Sequence, residues 1–135
     1  MVYKLIYRNC GNRSNRTLEV IEKVDQSTII CIQEANSSYM TMNLNHANIY
    51  KEGRTLVVTH KDLKGKLLHS NNESIMIAFK SIKSIFIFTY LKPDTTHFHI
   101  QTLTNSWQKF IDEHGEYNVS IVGDVNTSHN SGATV

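Results

Sequence analysis

The chain has 135 residues, of which 40% are hydrophobic and 19% charged, and its formal net charge is +2. This length suits one domain with its own core, and the single proline and six glycines exclude a low-complexity or linker-rich chain. The small net charge supplies no electrostatic argument for binding to nucleic acid or to membranes.

Six segments predict β-strands because they are rich in Ile, Val, Phe and Thr. In chain order they are residues 3–9, 28–33, 55–60, 74–79, 84–90 and 118–123. The short polar stretch KSIK separates the fourth segment from the fifth and predicts an antiparallel hairpin. Residues 34–53 are mostly polar and predict a loop or a poorly patterned helix.

Two further segments predict helices. The first begins near Ser14, a residue type suited to N-capping, and apolar residues recur at helical spacing as far as Val24. The second begins at Thr95 or Thr96 and carries one apolar stripe, and Gly115 stands where a glycine commonly ends a helix.

This order of elements predicts an α/β chain with one mixed, mainly antiparallel sheet and two main helices on one face. The runs TIICI, IFIF and VSIV are apolar on both faces, so their sheet should be covered on both sides. Two helices cover one face only. We therefore expect residues 1–135 to form a single, incomplete domain with one uncovered sheet face.

Cys10 and Cys31 are the only cysteines, and neither has a CxxC or Cys/His spacing. Cys31 lies in an apolar run, where a free thiol behaves as a small hydrophobic side chain; a disulfide is the alternative. The N-terminal segment MVYKLIYRNC lacks the long apolar core of a signal peptide or an anchor. We expect an intracellular, reducing location and no membrane contact.

Two of the predicted strands lead into acidic and amide side chains. Gln33 and Glu34 follow TIICI, while Asp124 and Asn126 follow VSIVG. Ligands gather at strand ends of α/β sheets because the scaffold is rigid and the loops are open. A carboxylate there can hold Mg²⁺ through oxygen, with water and phosphate filling the other positions. The alternative is that Glu34 and Asp124 cap turns or are solvated.

Asn9, Tyr90 and Arg13 are further candidates, each with a structural alternative. Asn9 could orient a metal-bound water or a phosphate oxygen, or close a turn with Gly11. The Tyr90 hydroxyl could donate to a phosphate, or the ring could pack while the hydroxyl stays in water. Arg13 and two neighbouring arginines could meet a phosphate backbone or form a solvated loop.

The segments YKLIYRNCGNR, IICIQEA, RTLVVTHKDL, IFIFTYLKPDTTH and VSIVGDVNTSH occur in the order and approximate spacing of the endonuclease/exonuclease/phosphatase superfamily. They resemble most the endonuclease domains of non-LTR retrotransposons, over essentially the whole chain. The resemblance implies the N-terminal half of a four-layered α/β/β/α sandwich. It also implies DNA as the partner, Mg²⁺ (or Mn²⁺) as the cofactor, phosphodiester hydrolysis as the reaction, and a nuclear location for a eukaryotic retroelement product.

The same resemblance assigns a role to each candidate. Glu34 ligates the catalytic metal, and Asn9 assists at the metal or phosphate site. Tyr90 contacts the scissile phosphate, Asp124 positions or activates the attacking water, and Asn126 binds a phosphate oxygen or the nucleophile. These residue types suit the chemistry, because a metal neutralises charge on the phosphate while a positioned water attacks in line.

The sequence departs from the superfamily pattern after Asn126. In the superfamily a second half follows, with further acidic residues and an Asp-His pair that catalysis requires, whereas this sequence stops at Val135. His129 lies in the loop after Asp124, where we expect hydrogen bonding within the loop and weak substrate contact. We therefore expect weak or no activity from these residues without the second half.

Three hypotheses follow from the sequence. The first is half of a metal-dependent DNA endonuclease of retroelement origin, with RNA and small phosphoesters open as substrates. The second is a non-catalytic remnant that binds another protein, or itself, through the uncovered sheet face. The third is an unrelated small α/β domain.

Overall fold

The computed structural model describes residues 4–9, 24–33, 46–53, 55–71, 73–91 and 94–124, with the backbone alone at positions 8, 9 and 124. Within these ranges the chain forms eight strands, one α-helix and a short 3₁₀ turn. The elements are β1 (Lys4–Asn9), β2 (Thr28–Gln33), β3 (Ala47–Glu52), β4 (Thr55–His60), β5 (Lys66–Asn71), β6 (Ser74–Phe79), the turn Lys80–Ile82, β7 (Ser84–Tyr90), α1 (His97–Glu113) and β8 (Asn118–Asp124).

The strands divide into two four-stranded sheets where the sequence pattern predicts one. Sheet A has the order β1-β2-β4-β3, and sheet B has the order β8-β7-β6-β5. In each sheet the first two strands are parallel and the remaining neighbours are antiparallel. The α/β class is confirmed, and the single sheet is corrected to two, because the pattern within a strand does not reveal which strands it pairs with.

All six predicted strands are present, with bounds that agree to within one residue. The predicted hairpin is confirmed, because β6 and β7 pair antiparallel from Ser74–Thr89 to Phe79–Ser84. Two strands are additional to the prediction. β3 lies inside the polar stretch interpreted as loop or helix. β5 is one of the two edge strands of sheet B, and its pairing with β6 has a register shift between Leu67 and His69.

The two sheets pack face to face around an apolar core. Sheet A contributes side chains from β2 and β4, and sheet B contributes side chains from β6, β7 and β8. The buried members are Ile29, Cys31, Val57, Leu63, Ile75, Ile77, Phe79, Phe88 and Val122. Alternate residues of each strand point into this core because successive side chains of a strand leave on opposite faces.

The outer faces of the central strands are buried as well. On sheet B, Met76 and Ile87 pack with Leu103 and Trp107 of α1. On sheet A, Ile30, Ile32, Leu56 and Val58 are all fully buried on the face away from sheet B. The inference that the strands are covered on both sides is therefore confirmed for TIICI and IFIF. It is wrong for VSIV in β8, where Val119 and Ser120 are exposed.

The prediction of an uncovered sheet face is wrong. Sheet B supplies the cover for sheet A from within the chain, through β6, β7 and β8. The prediction failed because it assigned these strands to the same sheet as β2 and β4. The idea that the chain binds a protein partner or itself through a bare sheet face loses its structural basis.

Helix α1 begins and ends where the sequence indicates. The Thr96 side-chain oxygen accepts a hydrogen bond from the His99 backbone N–H at 3.1 Å, which caps the first turn. Trp107 lies on the buried face, and its indole N–H donates to the Ser74 hydroxyl at 3.2 Å, which joins the helix to sheet B. The helix ends at Glu113, shortly before Gly115. The helix predicted from Ser14 lies outside the described residues.

No helix in the described part of the chain is long and apolar enough to cross a membrane.

Cys31 is fully buried between the sheets, and burial raises the pKa of its thiol from the ordinary 9.0 to about 12. Because the thiolate is the reactive form, Cys31 should resist iodoacetamide in the folded protein at a pH of about 8 and should react after denaturation. Peptide mass spectrometry separates this site from Cys10. Equal labelling of Cys31 in the folded and denatured protein would contradict its buried position.

The raised pKa of Cys31 also makes the free energy of unfolding depend on pH. The folded-state pKa lies above the unfolded one, so this thiol has no effect on the free energy of unfolding below the ordinary value of 9.0. Above that value the unfolded chain releases the proton while the folded chain keeps it. The thiol therefore lowers stability progressively as the pH rises from 9.0 towards 12.

Candidate functional site

The two parallel strand pairs each bring two strand ends together. In sheet A the last residues of β1 and β2 are partners, Asn9 with Gln33. In sheet B the last residues of β7 and β8 are partners, Tyr90 with Asp124. Parallel neighbours run in the same direction, so each sheet presents two carboxyl ends at one edge.

The buried amide of Gln33 joins these two edges. Its Nε2 donates to the backbone carbonyl oxygen of Thr89 in β7 at 3.3 Å, and its Oε1 accepts from the Thr55 hydroxyl in β4 at 2.7 Å. Gln33 is 1% exposed. Since Thr89 directly precedes Tyr90, the end of β2 lies against the end of β7. The four strand ends therefore form one edge, which we call the shared edge (the ends of β1, β2, β7 and β8).

Gly123 allows β8 to approach β7 closely at the shared edge. Its φ is +135°, a conformation that residues with a side chain rarely adopt. A Cβ at this position would overlap the carbonyl oxygen of Thr89 and would lie 2.9 Å from the carbonyl carbon. Both are backbone atoms that cannot rotate away. The glycine of the Gly-Asp sequence is thus required by the packing that sets position 124 beside Tyr90.

Glu73 lies in the turn between β5 and β6 and contacts the end of β7 on the side away from β8. Its backbone carbonyl accepts hydrogen bonds from the Tyr90 N–H at 3.0 Å and from the Thr89 hydroxyl at 2.9 Å. Its carboxylate lies 2.5 Å from Nε2 of His99 in the first turn of α1. Asn71 Oδ1 accepts from the Glu73 N–H at 2.8 Å and so fixes the turn. Tyr90 therefore sits at a strand end that is tied to β6 and, through Glu73, to α1.

No protein-family model matches the sequence, and no curated protein matches it. Several solved structures are similar in fold, among them the following two. The endonuclease domain of TRAS1, a telomere-specific non-LTR retrotransposon, aligns with 94% of this chain at a TM-score of 0.68 and 13% identity. Truncated Caenorhabditis elegans TDP2 aligns with 97% of the chain at a TM-score of 0.57 and 14% identity.

The chain has the fold of these two proteins. It spans 62% of the TRAS1 endonuclease domain and 65% of the TDP2 structure, so it corresponds to a part of each. The resemblance inferred from the ordered segments is confirmed at the level of the fold.

Within this fold the structure locates three of the predicted site residues directly. Tyr90 is half-buried at the end of β7, and the backbones of Asn9 and Asp124 end β1 and β8 at the shared edge. Glu34 lies outside the described residues but follows Gln33, the last residue of β2. The other predicted residues lie outside the described ranges: Asn126, Arg13 and His129.

Several residues that build the shared edge were missed by sequence reasoning. Gln33 was noted only as the neighbour of Glu34, and Thr55, Thr89 and Glu73 were not singled out. A signal was available for two of them. Thr55 and Thr89 are polar residues at the ends of strongly apolar strands, where a hydroxyl must find a partner if it is buried.

The donor chemistry predicted at the shared edge fits a hard divalent cation. Carboxylate and amide oxygens are the ligands that Mg²⁺ and Mn²⁺ prefer. Among the described residues, no group of three or more His, Cys, Asp or Glu side chains could hold a metal ion.

Proposed function

We propose that the shared edge is the active site of a Mg²⁺-dependent phosphodiester hydrolase that acts on DNA, in a chain of retroelement origin. One observation carries the proposal. The chain brings Asn9, Tyr90 and Asp124 and the residue before Glu34 to a single edge, through two parallel pairings and the Gln33 bridge. The similarity in fold to the TRAS1 endonuclease domain supports it.

In this proposal each residue acts as its chemistry allows. The Glu34 carboxylate holds Mg²⁺, which when bound neutralises charge on the phosphate. The Asn9 amide orients an oxygen ligand, and the Tyr90 hydroxyl donates to a phosphate oxygen. Asp124 accepts a hydrogen bond from the attacking water and aligns it, while Asn126 donates to a phosphate oxygen. Arg13 and His129 make weaker contacts to the nucleic-acid backbone.

Cation binding and turnover need different sets of residues. Binding a cation needs the residues of the shared edge, all of which lie in these 135 residues. Turnover in this superfamily also needs a histidine and further carboxylates, which the resemblance assigns to the part of the fold beyond the matched 62%. We therefore propose that these residues bind the cation and cleave DNA weakly or not at all by themselves.

The test is Mn²⁺ binding followed by electron paramagnetic resonance, together with nicking of supercoiled plasmid in Mg²⁺. Glu34→Ala should weaken Mn²⁺ binding by more than the roughly 10–100-fold typical of losing a residue that merely supports a ligand. Asp124→Ala should keep most of the Mn²⁺ affinity and abolish any EDTA-sensitive nicking, because its proposed role is to align the water.

Glu116→Ala provides the matched control. Glu116 is an exposed carboxylate that precedes β8, at the opposite end of that strand from Asp124. Its replacement removes the same charge and should leave both Mn²⁺ affinity and nicking at the wild-type level. Equal Mn²⁺ affinity in Glu34→Ala and wild type, or equal losses in Glu34→Ala and Glu116→Ala, would refute the proposed site.

A further inference from the structure

The polar side chain of Gln33 forms hydrogen bonds to a neighbouring strand in its own sheet and to a strand of the other sheet. It is buried in the core between the sheets, and a buried primary amide is unfavourable unless its groups are paired. Its oxygen accepts from Thr55 in β4, and its nitrogen donates across to the carbonyl of Thr89 in β7. Rotating the amide away would break both bonds at once. The side chain is therefore held in a single orientation.

The two chain positions that this amide joins lead directly to proposed functional residues. Gln33 precedes Glu34 and pairs with Asn9 in sheet A. Thr89 precedes Tyr90, and pairs with Gly123 in sheet B. A shift of β2 relative to β7 would change the separation between the two strand ends, Gln33 and Tyr90. Metal and phosphate sites need their groups held to within a fraction of an ångström, so such a shift affects function before it affects folding.

We propose that Gln33 is a positioning residue that fixes the end of β2, which the proposed metal ligand Glu34 follows in sequence, against the end of β7, which carries the proposed phosphate-contacting Tyr90. The Thr55 hydroxyl orients the Gln33 amide, and the amide ties the end of β2 to the end of β7. This inference rests on the proposed function for the roles of Glu34 and Tyr90. The tie between the two strand ends is a physical property of the chain that is measured separately.

Strand β4 offers a matched pair of variants. Thr55 and Thr59 are both buried threonines of β4, and each hydroxyl donates one hydrogen bond. Thr55 donates to Gln33 at the shared edge, whereas Thr59 donates to the Leu63 carbonyl oxygen at 2.9 Å near the other end of the strand. Replacing either with valine keeps the shape and removes one buried hydroxyl. Only Thr55→Val removes a hydrogen bond from the amide of Gln33, whose oxygen then loses the Thr55 donor.

The experiment measures Mn²⁺ affinity and amide hydrogen exchange in wild type, Thr55→Val, Thr55→Ser and Thr59→Val. Thr55→Val should lower Mn²⁺ affinity roughly tenfold, and Thr55→Ser should restore it because serine keeps the hydroxyl. Thr59→Val should leave Mn²⁺ affinity unchanged. Amide exchange should become faster at the ends of both β2 and β7 in Thr55→Val, and not in Thr59→Val.

The outcomes separate the two proposals. If Thr55→Val and Thr59→Val change Mn²⁺ affinity equally, the hydroxyls act only through general stability and the positioning role is refuted. If wild type binds no Mn²⁺, the proposed function fails, and hydrogen exchange alone decides about Gln33. Unchanged exchange at the ends of β2 and β7 in Thr55→Val overturns the inference, and faster exchange at both ends supports it.

Discussion

Replacing Gly123 with alanine is expected to lower the free energy of unfolding by about 3–5 kcal/mol. The new Cβ would overlap the carbonyl oxygen of Thr89, and the backbone would have to keep a φ of +135°. Relief requires β8 to move away from β7, which breaks the parallel pairing at Thr89–Gly123. The same movement separates position 124 from Tyr90, so under the proposed function any EDTA-sensitive nicking should be lost in molecules that stay folded.

Urea denaturation followed by fluorescence measures this change, because Trp107 is the only tryptophan and is buried against sheet B. Gly115→Ala is the control. A Cβ at Gly115 would meet only the Asp112 carbonyl oxygen at 4.0 Å, which is ordinary contact. Its expected change is within about 0.5 kcal/mol. Similar stabilities for Gly123→Ala and Gly115→Ala would show that β8 does not approach β7 as described.

Replacing Phe88 with alanine is the second large effect, with an expected loss of about 3–5 kcal/mol. Phe88 is fully buried in the core between the sheets, where its ring stacks on Phe86 with centroids 5.9 Å apart. Truncation leaves a cavity between two sheets whose backbones are fixed by their own hydrogen bonds, so the core cannot collapse to fill it. Both sheets should unfold together, in one urea transition.

Phe98→Ala is the matched control for the aromatic truncation. Phe98 lies in the first turn of α1 and is 79% exposed, so its removal should change the free energy of unfolding by less than about 0.5 kcal/mol. A small effect of Phe88→Ala, comparable to that of Phe98→Ala, would contradict face-to-face packing of the sheets. Two separate transitions in Phe88→Ala would show that the sheets fold independently.

The central strands were predictable from the sequence because their residue types reflect burial on both faces. TIICIQ and SIMIAF form β2 and β6, which are buried at every residue. The edge strands β1 and β8 were predicted, but the edge strands β3 and β5 were not. Residues of β3, in ANIYKE, are only partly buried or exposed, and β5 begins with two exposed residues. An edge strand has one neighbour and one covered face at most, so its sequence needs no apolar pattern.

The assignment of the strands to two sheets could not be predicted from the hydrophobic pattern, for a different reason. Hydrophobic periodicity indicates that a strand is buried, but it does not indicate which element covers it. The apolar faces of β2 and β6 were interpreted as belonging to one sheet that lacked a partner, whereas they pack on each other through residues such as Ile29 and Ile77. Only long-range pairing, which a single sequence does not contain, distinguishes the two arrangements.

The strand ends that form the shared edge were predictable from the sequence, whereas the contacts that hold them together were not. Asn9, Tyr90 and Asp124 were chosen because they end strands, and the structure places those strand ends at one edge. The contacts that hold the edge together, from Gln33 and Glu73, join residues far apart in the chain. Such contacts leave no local pattern, because a buried glutamine in a strand looks the same whether or not a partner lies across the core.

The division of the shared edge between two sheets links ligand binding to global stability. Neither sheet presents the edge alone, so a ligand bound there would interact with the docked pair and not with the separated sheets. Binding of that kind raises the free energy of unfolding by mass action, by about 2.7 kcal/mol when the free ligand is at 100 times its Kd. A cation or phosphodiester at this edge would thus act as an additional cross-link between sheet A and sheet B.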